Sequence, residues 1–285
     1  MKEISLKESS ISRLKRYPLD NIMSSESSFY YYKKDKDRSN ILLKRLYVTE
    51  PKRVERKIST IEKLEDSELS TYPELIIPNG FVTIQGVKSG FTIKEVSNCT
   101  NLHLFLEDNS VSREDKITVL KKIGELLRRV QRQGQEFYFG DLQSYNFLVD
   151  KDLGIYVVDL DSSATSRLKP LETKYIIIDK KTYTVSKYKV NRSGRAYPNK
   201  DIDLFCYNTM VLNYLAGRSL HRLDYQEYYD YLQYLENIDM PKDMIEIYTH
   251  HYTDKHNESV AELLDDLPDD YARADYRVYK ALKKK

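Results

Sequence analysis

FGDLQSYNFLVDKDLGIYVVDLD, from Phe139 to Asp161, is the stretch whose reading decides the fold. Asp141 is followed five residues later by Asn146, which leads straight into the apolar run Phe147-Leu148-Val149. A turn at Asp150-Lys151-Asp152-Leu153-Gly154 separates that run from a second one, Ile155-Tyr156-Val157-Val158, which ends on Asp159. Two short apolar runs joined by an Asp/Gly-rich turn predict a β-hairpin. The carboxylates and the amide then stand where the chain enters and leaves the hairpin. Oxygen ligands converging at one end of it suit a hard cation such as Mg²⁺, which also takes oxygens from phosphate. The plainer alternative is a surface hairpin whose Asp and Asn are turn formers.

N-terminal to this stretch the pattern is mostly strand-like. Residues 1–16 are polar and charged, a short helix or a lead-in. Strands are expected at Leu19–Met23, Phe29–Lys33 and Ile41–Tyr47, with breaks at Ser24-Ser25-Glu26-Ser27-Ser28 and from Asp35 to Ser39. Pro51 suits the first turn of a helix. Val54, Ile58, Ile61 and Leu64 then recur at helical spacing to about Asp66. Gly80–Gln85 and Phe91–Val96 form a further hairpin, which completes a five-stranded sheet with one helix.

C-terminal to Val96 the chain becomes helical. Ser112-x-x-Asp115 offers a helix cap, and Ile117, Leu120, Ile123, Leu127 and Val130 make an apolar stripe leading directly to the Phe139 stretch. Beyond it, Tyr175–Ile178 and Tyr183–Ser186 flank a turn at Asp179-Lys180-Lys181 and read as an inserted hairpin. A helix runs from Asp203 to Gly217, and the remainder is helical with breaks near Asp239-Met240-Pro241 and Asp254–Asn257.

The order of these elements resembles the protein-kinase-like superfamily, in which an Asp-x-x-x-x-Asn loop precedes a hairpin ending in a metal-binding Asp. The likeness covers about residues 17 to 217. It implies an α+β, two-lobed protein-kinase-like fold. The N-lobe, residues 1–96, is a small antiparallel β-sheet with one helix; the C-lobe, residues 97–285, is mainly helical and carries the catalytic loop at 139–146. By the same resemblance Lys44, closing Ile41-Leu42-Leu43, aligns the phosphates of ATP and pairs with a glutamate of the next helix. Glu55 and Glu62 are the candidates, with Glu55 preferred. Ser25 and Ser27 lie in the loop that covers the phosphates, and the backbone near Glu95 and Val96 meets the adenine edge. Asp141 orients the acceptor hydroxyl and takes its proton, with Gln143 in the same loop. Asn146 and Asp159, with Asp161 beside them, hold Mg²⁺. Asp203 ties down the catalytic-loop backbone, and a Gly closes its helix.

The chain departs from that pattern at defined places. The Ser24–Ser28 break contains no glycine, which in the family permits close backbone approach to phosphate. Tyr138-Phe139-Gly140 stands where a histidine is usual, Gln143 where a lysine is usual, and Asp161 where a glycine ends the Asp-Phe-Gly motif. Gly140 and Asp161 bring the chain nearer to small-molecule and atypical kinases. The expected activity is γ-phosphoryl transfer from ATP, with Mg²⁺, to a protein Ser/Thr hydroxyl. The alternatives are a pseudokinase acting as a binding module, a small-molecule kinase, and a nucleotidyl transferase on the same fold.

Composition bounds the rest. Among 285 residues, 46 basic and 44 acidic side chains nearly cancel, which gives no reason to expect a nucleic-acid partner. No apolar run reaches the eighteen or so residues of a membrane span. MKEISLKESS lacks the apolar core of a secretory signal, and two cysteines make no disulfide framework. A cytoplasmic protein with a protein or small-molecule acceptor is the expectation. Twenty-five tyrosines without tryptophan are read as packing residues, because they alternate with apolar positions.

Overall fold

Strand β3 (Asn40–Leu46) lies within a mixed five-stranded sheet built from β1 (Lys2–Leu6), β2 (Ser27–Lys34), β3, β4 (Gly80–Ile84) and β5 (Val87–Lys94), in the order β1-β4-β5-β3-β2. The computed structural model describes residues 2–18, 27–34, 40–47, 50–132, 137–139, 142–165, 175–178, 181–184, 201–218, 223, 225–251, 259–267 and 273–283. The chain is mixed α+β and divides into two compact units, Met1–Leu104 with Tyr145–Ser163, and Phe105–Ser144 with Ala164–Lys285. The hairpin bearing Asn146 and Asp159 belongs to the unit of the sheet and not to the helical remainder.

Two details of the sheet differ from the sequence reading. Its edge strand is Lys2–Leu6, in the stretch expected to be a lead-in, and it runs parallel to β4, so the sheet is not wholly antiparallel. Ile4 and Leu6 alternate with Glu3 and Ser5, and pack on a cluster of Ile11, Leu43, Val82 and Ile84. Ile11 closes that cluster from the short helix α1 (Glu8–Ile11). The expected strand Leu19–Met23 lies outside the described residues. Secondly, β5 begins at Val87 rather than Phe91, because Gln85 (φ 53) and Gly86 (φ 80) make a two-residue left-handed turn. Gly90 then passes so close to β3 that a Cβ there would lie 2.1 Å from the Lys44 carbonyl oxygen. Only glycine fits.

Helix α2 (Pro51–Glu65) buries Val54, Ile58, Ile61 and Leu64, the anticipated stripe. Strand β6 (Cys99–Asn101) pairs with β8 (Phe147–Asp150), and β8 with β9 (Ile155–Val157), in register from Phe147↔Val157 to Val149↔Ile155. This is the hairpin read from the sequence. Asp150 holds its turn, accepting from the Asp152 and Gly154 amides and the Tyr156 hydroxyl. On its far edge Leu75 bridges to Val157, and the Val157 N–H donates to the Glu74 carbonyl at 2.7 Å.

Helix α3 (Leu102–Glu107) begins in the first unit and ends in the second, which then holds α4 (Arg113–Arg132), β7 (Phe137–Tyr138) paired with β10 (Ala164–Thr165), the hairpin β11 (Tyr175–Ile178) and β12 (Lys181–Thr184), and helices α5 (Asp201–Leu215), α6 (Tyr225–Asn237), α7 (Lys242–His251) and α8 (Tyr276–Leu282). The Ser112 hydroxyl caps α4 by accepting from the Asp115 N–H at 3.0 Å. Gly217, at φ 62, closes α5 with the two reverse hydrogen bonds Gly217 N–H to Tyr214 O and Arg218 N–H to Asn213 O. Tyrosines fill much of this core and satisfy their hydroxyls on backbone: Tyr207 on Leu120 O at 2.9 Å, Tyr231 on Ala216 O at 2.5 Å. Among the described residues no helix is long and apolar enough to cross a membrane.

Candidate functional site

Lys44 points inward from β3 and is buried, which only a compensating charge makes tolerable. Its ammonium donates to the Asp159 carboxylate and, at 2.6 Å, to Asp161 Oδ1. Asp161 Oδ2 accepts from Lys57 Nζ at 2.7 Å. Asp161, at 2% side-chain exposure, is enclosed between two ammonium groups that are themselves 6% and 3% exposed. Asp159 keeps 42% of its side-chain exposure and is the one carboxylate of the cluster that faces outward. Two positive and two negative charges balance within the first unit.

The electrostatics follow from that arrangement. Burial alone would lower the Lys44 ammonium, but the charges of Asp159 and Asp161 and its hydrogen bonds to both hold it above its ordinary range. Burial alone would raise Asp161, yet Lys44 and Lys57 hold it well below the usual carboxylate range. The Asp159 carboxyl is pushed upward by desolvation and by the neighbouring Asp161 charge, against the pull of Lys44. Its exposure lets solvent moderate that rise. A cation at Asp159 would relieve the same repulsion.

The Asp159 backbone is left-handed, at φ 66, ψ 33, a region it shares with Gln85, Asn98, Leu153 and Asp239 among the described non-glycine residues. Asn146 is brought beside it by the hairpin itself. The Asn146 carbonyl accepts the Val158 N–H at 2.9 Å, extending the ladder one pair past Phe147↔Val157. Asn146 and Asp159 therefore emerge together at the open end.

Asn101, which sequence reasoning missed, holds this end in place. Buried at the end of β6, it donates from Nδ2 to the Tyr145 carbonyl at 2.8 Å and accepts the His103 N–H on Oδ1 at 3.0 Å. One side chain thus caps α3 and fixes the turn that presents Asn146, and the His103 ring packs 4.7 Å from that of Tyr145. The available signal was an Asn standing just before the helical run Leu102–Leu106.

The other sequence candidates are distributed as follows. Glu55 and Glu62 lie on the exposed face of α2, and neither is the partner of Lys44. The expected Lys44–Glu55 pair is not formed; α2 turns Lys57 inward instead. Asp161, expected as a metal ligand, has an oxygen committed to each lysine. Ser27 is buried in β2, opposite Leu46, and not in a phosphate-covering loop. The Glu95 N–H donates to Asn40 O at 2.9 Å, and its carboxylate accepts from Asn40 Nδ2 at 2.5 Å, so that amide is not available as a hinge donor. Val96 follows it, half-buried. Asp203 is buried and accepts the Phe139 N–H on Oδ2 at 2.9 Å, which ties down the start of the 139–146 loop. Gln143 belongs to the second unit, half-buried. Asp141 and Ser25 lie outside the described residues. Burial, with the charge of Asp150, pushes the Cys99 thiol up to about 11, which fits an unreactive cysteine.

Among the described residues no group of three or more His, Cys, Asp or Glu converges as a metal site. Asn146 and Asp159 supply two hard oxygen donors, a set that suits Mg²⁺ when phosphate and water complete its shell. Compared with protein-family models and with curated proteins, the chain matches none.

Proposed function

We propose that the chain is a phosphotransferase of two-lobed, protein-kinase-like fold, which uses ATP with Mg²⁺ and passes the γ-phosphoryl group to a hydroxyl, a protein Ser/Thr hydroxyl before a small-molecule one. The observation that carries this reading is Lys44 brought against Asp159, 115 residues further along the chain, with Asn146 beside it at the hairpin's open end. Lys44 is the cation for the phosphates, and Asn146 and Asp159 are the residues that would hold the metal. Mg²⁺, when bound, neutralises charge on the phosphates. Asp161 fixes Lys44 in the place of a helix glutamate. Asp203 anchors the backbone at Phe139, two residues before Asp141, and Asp141 accepts the proton of the acceptor hydroxyl.

The exposed position of Glu55 and the inward Lys57 favour a second reading, a binding module that keeps the architecture without efficient transfer. Thermal unfolding with ATP, with and without Mg²⁺, on the wild type and Asp159→Asn addresses the site directly. A ligand at about a hundred times its Kd adds about 2.7 kcal/mol, a shift on the order of 5 °C. The expected result is a Mg²⁺-dependent shift that Asp159→Asn loses. No shift in any condition would overturn the nucleotide reading. If the shift is seen, Asp141→Asn should abolish transfer and leave ATP binding nearly intact, whereas a wild type that binds without transferring would select the binding module.

A further inference from the structure

We infer that Lys57 gives the candidate nucleotide site a fixed positive charge that does part of the work of a divalent cation, so that polyphosphate binding there leans less on metal than it would without it. The inference rests on the nucleotide reading above and concerns the same site. Its basis is the bridge Lys57–Asp161–Lys44, with contacts of 2.7 and 2.6 Å, all three side chains buried.

The charge count makes the point. With Asp159 included, the cluster is neutral. Without Lys57, and with no metal bound, Lys44, Asp159 and Asp161 would carry one net negative charge. A glutamate in place of Lys57 would make that two net negative charges. The difference is two units, the charge of one divalent ion. Lys57 acts without touching the ligand, because Coulomb interaction falls only as the inverse of distance. A unit charge roughly 8 Å from a phosphate, at the effective dielectric of a partly buried site, changes affinity by on the order of tenfold.

Lys57 is also a positioning residue. It pins Asp161, which pins Lys44 where a phosphate would meet it. A purely structural Lys57 would do this much and no more, weakening ATP binding equally with and without metal when removed. A charge-supplying Lys57 changes the ratio of the two affinities.

The test measures ATP binding to the full chain by calorimetry, in EDTA and in Mg²⁺, and takes the ratio of the two Kd values. The variants are Lys57→Met, which keeps the length of the aliphatic stem and leaves Asp161 its bond to Lys44, and Lys57→Arg, which keeps the charge. The expected ratio rises by about tenfold in Lys57→Met and returns toward the wild-type value in Lys57→Arg. An unchanged ratio in Lys57→Met overturns the inference while leaving the nucleotide site standing. If Lys57→Met does not fold, Lys57→Gln, which removes the charge and keeps a polar contact for Asp161, is measured in its place and is read by the same rise or constancy of the ratio. A wild type that binds ATP in neither condition overturns the nucleotide reading itself, and this inference with it.

Discussion

Replacing Asp161 by asparagine removes one charge from a place where solvent cannot make it good. The side chain is 2% exposed, and its two oxygens receive Lys44 and Lys57 at 2.6 and 2.7 Å. Asparagine keeps the shape, but its amide neutralises neither ammonium, leaving Asp159 alone against two positive charges. Breaking a buried pair from one side costs about 3–5 kcal/mol. For a chain of this size that is a fall in Tm on the order of 10 °C. The chain has no tryptophan, so circular dichroism and tyrosine fluorescence are the natural probes for thermal and urea unfolding. Adding Lys57→Met should recover part of the loss, since it removes the ammonium that Asp161→Asn leaves facing an amide, and the double-mutant cycle measures the coupling. Asp161→Asn within about 0.5 kcal/mol of the wild type at pH 7, the scale of an ordinary surface change, would refute the bridged cluster.

The pH dependence carries a definite sign. The Asp161 carboxyl is depressed in the folded state, so its stabilisation is present above its ordinary value of 3.8 and is lost as pH falls through the lower folded value. Lys44 is raised above its ordinary 10.5, so its contribution is present below that value and is lost as pH rises through the folded one. The gap between wild type and Asp161→Asn is therefore level from above the raised Asp159 titration up to about pH 10, and closes in strong acid and in strong alkali. A gap that changed on the alkaline side of neutrality, below about pH 10, would point to another group.

Two further substitutions test the scaffold around the cluster. Asn101→Ala strips a hydrogen bond from the Tyr145 carbonyl and another from the start of α3; it should cost about 1–3 kcal/mol in urea unfolding and diminish any Mg²⁺-dependent ATP shift, because Asn146 loses its support. Gly90→Ala places a Cβ 2.1 Å from the Lys44 carbonyl, so β3 and β5 must part; a loss of about 1–3 kcal/mol or more with faster amide exchange in β3 is expected, and an unperturbed β3 would show that the strands do not approach as described.

Much of the scaffold was legible because strong local signals carried it. The Asp/Gly turn and the two apolar runs fixed the 147–157 hairpin, Pro51 and the Val54-to-Leu64 stripe fixed α2, and Ser112 marked the start of α4. The edge strand was hidden because Lys2, Glu3 and Ser5 mask a two-residue alternation of only Ile4 and Leu6, too short a period-two signal to outweigh its charges. Its parallel pairing with β4 is a long-range choice that no local pattern encodes. Asn101 was hidden for a different reason: its two tasks, capping α3 and holding Tyr145, belong to segments 44 residues apart.

The partner of Lys44 is the instructive miss, because the correct choice was available from helix phase. At roughly 100° per residue, Lys57 falls inside the stripe of Val54, Ile58, Ile61 and Leu64, between Leu64 and Ile61, whereas Glu55 and Glu62 fall outside it, roughly a third of a turn from its centre. A side chain inside the stripe is carried into the core regardless of its chemistry, and a lysine carried there must meet a carboxylate. Asp161 is that carboxylate, the counter-ion that the inward lysine requires. The two residues explain each other. A glutamate at position 57 facing Asp161 would set two buried carboxylates together, and an Asp161 without Lys57 would rely on Lys44 alone. The charge pattern of the site is therefore a joint property of α2 and the turn after β9, and a change at either position should be tolerated best when the other changes with it.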